Sequence, residues 1–394
     1  VIYRAYKVEL DPNDKQRTAL LRHAGAARFA YNWGLDQWKR MYEAGEKPDH
    51  MKLNKVLNAL KAKEFPWMYQ VSKCAMQGAL IDLGKAYKRF FTKKGGYPKY
   101  KSRRRSKLSF MLMSPLPMKV TSKTIKLPVI GTLRLKERDH IPTDVAIKQV
   151  TVCERAGKWF VVAVIKREDS AVEATGKIIG VDLGLKTLAT CSDGSTYENA
   201  KYLKKSTNKI KGLSRKLARQ KKGSNRREKT KAKLAKVHAR VANQRSDAIH
   251  KMTTDIVRTK RPEVIVIEDL NVKNMVKNHK LAGAISDAAF GEIRRQLEYK
   301  AKWYGSKLVI ADCFFPSTKM CSCCGTVKEM ELNDRVYECA ACGNVMDRDL
   351  NAALNLAKIP TVSSTGYARG GSVRPQDIVA APVKREPDRR LVIS

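Results

Sequence analysis

The sequence predicts a multidomain protein of mixed α/β and all-β class: an N-terminal β-barrel interrupted by inserted helices, then an α/β domain carrying a small cysteine-rich module. Three observations predict it. Residues 108–166 are short apolar runs separated by Pro, Gly and Asp, the texture of several short strands and turns in a small barrel. From about Lys177 onward, apolar strands alternate with helical stretches, as in an α/β layer architecture. Near the C-terminus, two Cys-x-x-Cys pairs lie a hairpin's length apart.

The opening segment, Ile2 to Leu10, alternates with a period of two and stops at Asp11-Pro12-Asn13, so residues 1–10 read as a strand. It finds no strand partner among the helices that follow. It is therefore assigned to the barrel completed by residues 108–172, with residues 11–107 inserted as a helical domain. Ala19, Leu20, Ala27, Tyr31 and Leu35 mark a helix by their spacing, and Pro48 and Phe65-Pro66 divide the rest. From Lys85 to Lys107 there are 11 Lys/Arg and no Asp/Glu, interleaved with Tyr87, Phe90, Phe91, Tyr97 and Tyr100. A solvated basic linker is one reading; a surface for phosphates and stackable bases fits the interleaving better.

The α/β domain is assigned to residues 173–317. Ile178 to Asp182 is an apolar strand ending in an acid, and Thr187 to Ser192 is a second strand. Residues 201–260 carry 21 Lys/Arg against 3 Asp/Glu and break at Lys222-Gly223-Ser224-Asn225. That pattern predicts a basic helical hairpin with Leu213, Leu217, Leu234 and Val237 facing inward, and its like charges repel without a counter-anion. Pro262 to Glu268 gives another apolar strand ending in an acid, followed by a helix from about Ser286 to Tyr304 and a strand from Lys307 to Ala311. Residues 347–358 read as a helix opened by an acid, and 359–394 as a disordered tail.

The charge balance is extreme: 79 Lys+Arg against 38 Asp+Glu in 394 residues, a formal net charge of +41. It excludes an ordinary metabolic enzyme, while the 43% hydrophobic share excludes global disorder. A polyanionic partner follows. No stretch approaches the roughly 20 apolar residues of a spanning helix, and Val1 to Glu9 lacks the apolar core of a signal peptide. The expectation is a cytoplasmic, nucleoid-associated protein with no membrane partner.

Cys321 and Cys324 form the first cysteine pair, Cys339 and Cys342 the second, and Gly325 or Gly343 follows each second Cys. In a reducing compartment four thiolates at that spacing satisfy tetrahedral Zn²⁺, and a closed four-thiolate site holds structure without performing chemistry. Cys323 is read as a bystander. Asp182, Glu268 and Asp349 are two acids at strand ends and one at a helix start. Strand ends of an α/β sheet converge on one edge, and clustered carboxylates suit Mg²⁺, which takes oxygen ligands together with substrate phosphate. A two-metal site hydrolyses phosphodiesters without a catalytic His or Ser. On spacing alone, each acid serves equally well as a surface cap.

In chain order, Gly180-Val181-Asp182-Leu183-Gly184, Ile267-Glu268-Asp269-Leu270, the two cysteine knuckles and Asp347-Arg348-Asp349-Leu350-Asn351-Ala352-Ala353 resemble the split RuvC motifs and inserted zinc finger of the TnpB family. TnpB proteins are transposon-encoded RNA-guided DNA nucleases related to compact type V CRISPR effectors. Ala27-Arg28-Phe29-Ala30-Tyr31-Asn32-Trp33 adds a further match, and the resemblance spans about residues 2–358. It implies a WED-like barrel with an inserted helical recognition domain, then an RNase H-like RuvC nuclease domain with a zinc-ribbon module at 318–346. Asp182, Glu268 and Asp349 fall on the family's catalytic, magnesium-holding carboxylates. Asp347 competes for the third place, and Asp349 is preferred because it stands just before x-Asn-Ala-Ala.

The resemblance further implies a guide RNA and target double-stranded DNA as partners, in a monomeric ribonucleoprotein that recognises a short flanking motif and cuts both strands. Lys73 and Gln77, four apart on one helix face, are the residues assigned to that motif, with ordinary surface polarity the competing reading. Lys101, Arg103, Arg104 and Arg105, and at the hairpin turn Lys221, Lys222, Arg226 and Arg227, are assigned to nucleic-acid backbone. A guide-directed DNA-binding regulator that does not cut, a transposase or its accessory protein, and a plain zinc-containing RNA-binding protein are the alternatives. The presence of all three acids favours cutting.

Overall fold

The computed structural model describes residues 2–103, 106–113, 117–168, 175–331 and 334–363. The chain divides into two compact units, Val1–Asp169 and Ser170–Ser394.

In the first unit β1 (Ile2–Asp11) leads into α1 (Asp14–Glu43). A capping box sets the start of α1: the Asn13 side chain accepts from the Gln16 N–H at 2.8 Å, and the Gln16 side chain accepts from the Asn13 N–H at 3.0 Å. Then come α2 (His50–Leu60), a 3₁₀ turn (Pro66–Gln70) and α3 (Lys73–Phe91). Strands β2 (Ser109–Met113), β3 (Lys119–Val120), β4 (Thr124–Leu127), β5 (Gly131–Leu135), β6 (Ile147–Arg155) and β7 (Lys158–Arg167) complete the unit.

All seven strands form one antiparallel sheet, ordered β2-β6-β7-β1-β5-β4-β3. β1 lies between β7, which it pairs along Ile2 to Leu10, and β5, which it meets at Leu10 and Asp11. Among the described residues no ladder joins the outer strands β2 and β3. Trp159, Val161, Ala163 and Ile165 alternate inward along β7, and Leu20, Leu35, Leu80 and Leu83 of α1 and α3 belong to the same core.

The second unit is built on a five-stranded sheet ordered β10-β9-β8-β11-β12. In chain order its elements begin with β8 (Ile178–Asp182), β9 (Thr187–Cys191), β10 (Thr196–Glu198), α4 (Tyr202–Arg219) and α5 (Asn225–Thr254), the last running into a π-helical turn (Asp255–Thr259). They continue with β11 (Val264–Glu268), α6 (Val272–Met275), α7 (Ala282–Ala288), α8 (Phe290–Tyr304) and β12 (Lys307–Ala311). A hairpin of β13 (Val336–Glu338) and β14 (Val345–Asp347) leads directly into α9 (Arg348–Ser363). β11 runs parallel to both β8 and β12, whereas β9 and β10 return antiparallel.

Helices α4 and α5 pack as a hairpin with Leu213, Leu217, Leu234 and Val237 half-buried along it. Two elements depart from the sequence reading. The single helix expected over 286–304 is divided, because Ala289 takes a left-handed conformation (φ 55°) between α7 and α8. α9 continues past Lys358 to Ser363, into the segment read as a tail, and Ile359 is buried with Val264, Val266 and Leu356. The remainder of that segment, 364–394, lies outside the described residues. No helix among the described residues is long and apolar enough to cross a membrane.

Candidate active site and metal centres

The parallel register of β8 and β11 sets Val181 opposite Ile267, so Asp182 and Glu268 follow side by side at the C-terminal ends of adjacent strands. Asp182 is only 7% exposed. Burial pushes its carboxyl well above the ordinary range; Glu268 and Asp349 push it further, against the opposing pull of Arg348 and the Leu183 N–H. Burial raises Glu268 as well, and the Ser317 hydroxyl, which donates to its carboxylate, draws it back.

The third acid arrives on α9. Gly180 is where that helix crosses β8: a β-carbon there would lie 2.0 Å from the Ala353 carbonyl oxygen and 2.6 Å from the Ala357 nitrogen. Side chains two apart on a strand share a face, so Asp182 lies on the side of β8 that α9 covers. Asp349 lies one helical turn before Ala353, in the first turn of α9, and its carboxylate accepts from Arg348 at 3.1 and 3.2 Å. Asp347 has a different task. Its Oδ1 accepts the N–H groups of Asp349 (2.9 Å) and Leu350 (3.0 Å), which makes it the N-cap of α9.

The three acids offer only oxygen donors, and Glu268 and Asp349 both repel the buried Asp182, although their carboxylate atoms do not all lie within 4.8 Å of one another. Such a donor set fits a hard divalent cation such as Mg²⁺, whose charge would relieve the repulsion. Sequence reasoning did not single out Ser317 or Arg348. Ser317 reaches Glu268 only through tertiary packing, whereas Arg348 adjoins Asp349 in the chain and only the direction of its side chain was hidden.

The four cysteines are, among the described residues, the one group of candidate ligands whose atoms all lie within 4.8 Å of one another. Cys321 and Cys342 sulfurs are 3.7 Å apart and those of Cys324 and Cys339 3.5 Å, all as free thiols. A tetrahedral Zn²⁺ with Zn–S near 2.3 Å requires sulfur–sulfur edges of about 3.8 Å, so the site fits zinc. Gly325 and Gly343 close the two knuckles at φ 81° and 68°, where a side chain would be strained. Hydrogen bonds from the Thr326 hydroxyl and N–H favour the Cys324 thiolate and bring that thiol down to about 6. Cys323 stands exposed outside the set.

Two buried asparagines bolt this module to α9. Asn351 accepts from the Ser322 N–H at 2.8 Å and donates to the Met320 carbonyl at 2.7 Å. One turn on, Asn355 donates to the Ser317 and Met320 carbonyls at 2.8 and 2.6 Å. The helix that carries Asp349 is thus held by the cysteine knuckle and the strand that carries Asp182.

The residues assigned to nucleic acid divide. Lys73 is exposed at the first residue of α3, with Gln77 half-buried one turn on; Arg103, Lys221, Lys222 and Arg226 are exposed. Arg104 and Arg105 lie outside the described residues. Two of them make contacts within the fold. The Lys101 ammonium lies 3.7 Å from the centroid of the Tyr31 ring, half-buried, and burial lowers its pKa. Arg227 donates to the Leu217 and Gln220 carbonyls and closes the C-terminal end of α4, where backbone acceptors lack helical partners. Basic composition marked both residues; where their head groups go was not legible from it.

Three family profiles match the chain: the IS605 OrfB family, described as "Probable transposase", over residues 160–279; a "Cas12f1-like, TNB domain" over 290–356; and the helix-turn-helix domain of IS605 OrfB over 2–47. A Streptomyces pristinaespiralis protein named "Putative RNA-guided DNA endonuclease" is 36% identical over 98% of this chain and 97% of its own. A protein of Escherichia coli (strain K12), "Putative RNA-guided DNA endonuclease InsQ", is 32% identical over 90% and 91%. Among solved structures, the Cas12f1 chain of a complex with sgRNA and target DNA shares the fold, with a TM-score of 0.60 at 14% identity over 87% of this chain and 82% of that one. With relatives above 30% identity along nearly its whole length, and with the motifs in family order, the chain belongs to the TnpB-like IS605 OrfB family.

Proposed function

We propose that this protein is an RNA-guided, Mg²⁺-dependent DNA endonuclease whose catalytic carboxylates are Asp182, Glu268 and Asp349. One observation carries the reading: Asp182 and Glu268 end adjacent parallel strands, and the helix bearing Asp349 crosses β8 at backbone contact with Gly180. The relatives named as RNA-guided DNA endonucleases support it, as does the net charge of +41. In this reading the first unit's sheet is a WED-like barrel with a helical recognition insert, the five-stranded sheet is a RuvC-like nuclease core, and the cysteine module is a structural zinc ribbon.

The three acids would hold Mg²⁺, which when bound supplies an activated water and neutralises charge during phosphodiester hydrolysis. The protein's own groups prepare that site: Ser317 orients Glu268, Arg348 orients Asp349, and the Asp347 cap fixes the start of α9. The exposed cations of the α4–α5 turn hold phosphate backbone, while Lys73 and Gln77 read the duplex flanking the target. Guide pairing reads the target sequence itself. The ribonucleoprotein is a monomer in the cytoplasm, associated with the nucleoid.

The test is to express the protein with its flanking genomic DNA, sequence the RNA that purifies with it, and challenge a matching plasmid library with and without Mg²⁺. Bound RNA of defined end and Mg²⁺-dependent cutting beside one short motif support the proposal. Guided binding without cutting would make the chain a DNA-binding regulator, and absence of any specific RNA would remove the guide from the account.

A further inference from the structure

Tyr42, Phe91 and Tyr97 are exposed at one end of the α1–α3 pair, at 67%, 62% and 44%. Trp38 and Tyr87 are buried beneath them, stacked with ring centroids 4.3 Å apart and planes 11° apart. Tyr87 continues to Phe91, one helical turn on, at 6.1 Å and 22°. The result is a near-parallel run of three rings whose last member faces solvent. Phe90 and Tyr97 meet edge to face at 5.2 Å, and a groove of about 440 Å³ runs among these rings. Lys39 and Glu43 also line it; Lys88, Arg89, Lys93 and Lys94 are exposed around its α3 end.

Folded proteins seldom leave aromatic surface this concentrated without a partner. An apolar protein segment would match the rings but not the surrounding cations. An unpaired nucleotide matches both, offering a flat π face beside a phosphate. We propose that this groove holds unpaired bases of the guide RNA, one of them extending the Trp38–Tyr87–Phe91 stack while the neighbouring cations hold adjacent phosphates. This rests on the RNA-guided reading above. A resident guide would cover the rings throughout the life of the complex, whereas target DNA would leave them bare between encounters.

The test titrates fluorescein-labelled oligouridylate and oligodeoxythymidylate of equal length against the full chain. It compares wild type, Phe91→Leu with Tyr42→Leu, and Phe91→Trp with Tyr42→Trp, with melting temperatures confirming that each folds. Leu keeps apolar bulk and removes the π face. The expected result is an oligouridylate affinity about tenfold lower in the Leu variant, restored by Trp, with an unchanged salt slope because no charge is removed. Equal affinity in all three, or Leu equal to Trp, would overturn base stacking. A larger loss for the deoxy probe would overturn the assignment to RNA. A concentration-dependent dimer abolished by Leu, with oligouridylate binding unchanged, would give the groove to a second copy. Failure of wild type to bind oligouridylate at all would count against the guided-nuclease reading, whereas binding that the variants leave unchanged would count against the groove alone.

Discussion

A β-carbon on Gly180 would lie 2.0 Å from the carbonyl oxygen of Ala353. No side-chain adjustment relieves a clash with backbone, so Gly180→Ala must displace α9 from β8. The expected outcome is a loss of about 3 kcal/mol, the upper part of the usual range for overpacking, together with loss of cleavage as Asp349 moves from Asp182. Denaturant unfolding and plasmid cleavage measure the two effects; unchanged values for both would show that the helix is not seated there.

Asp182→Asn should stabilise the protein when divalent cations are chelated. The Asp182 carboxyl is held above its ordinary value of 3.8, chiefly by burial, so from about pH 4 upward the folded state binds the proton more tightly than the unfolded state. Its contribution to stability therefore falls as pH rises through that window. The Asn variant should melt higher than wild type near neutral pH in EDTA and lose the part of the pH dependence that Asp182 contributes. Adding MgCl₂ should raise the melting temperature of wild type more than that of the variant. A variant that melts lower in EDTA would show that Asp182 is satisfied without a cation.

Removing a cysteine ligand should act at a distance. Cys339→Ser is expected to lose zinc and to loosen the Asn351 and Asn355 bonds that hold α9 to the knuckle. Asn351→Ala, which leaves the buried Ser322 N–H without its acceptor, should cost about 2 kcal/mol while zinc is retained. Metal analysis alongside urea melts separates the two. A Cys339→Ser protein with full zinc content would refute the four-thiolate site.

Lys300 gives an independent pH signature. It is 3% exposed, and its ammonium donates to the His250 carbonyl at 2.8 Å and to the Thr253 and Thr254 hydroxyls at 2.7 Å each. Burial brings its pKa down from 10.5 to about 8. Between those values the unfolded chain holds the proton more tightly, so stability should rise with pH from about 8 towards 10.5. Lys300→Met should remove that rise in urea melts; an unchanged slope would assign it to another group.

Much of the candidate site was legible because its chemistry sits where periodicity changes. An apolar run that stops at an acid marks Asp182 and Glu268 as strand-end residues, and paired Cys-x-x-Cys knuckles have few other uses. The close approach of β8 and α9 at Gly180 was not legible, since only the fold shows which backbone atoms meet. The break at Ala289 was not legible, since the usual breakers Gly and Pro are absent at that position and alanine favours helix. The contacts of Lys101 and Arg227 were not legible for a related reason. A long cationic side chain is recorded by its charge, while its destination, a ring or a helix end, is set by tertiary packing.

The most direct test of the central claim uses the RNA-loaded protein and a matching target plasmid, comparing wild type with Asp182→Ala, Glu268→Ala and Asp349→Ala for cleavage and for guided binding. Each substitution is predicted to abolish Mg²⁺-dependent cutting of both strands while leaving RNA retention and target binding intact. Cleavage that persists in any of the three would contradict the assignment of that carboxylate to the catalytic centre.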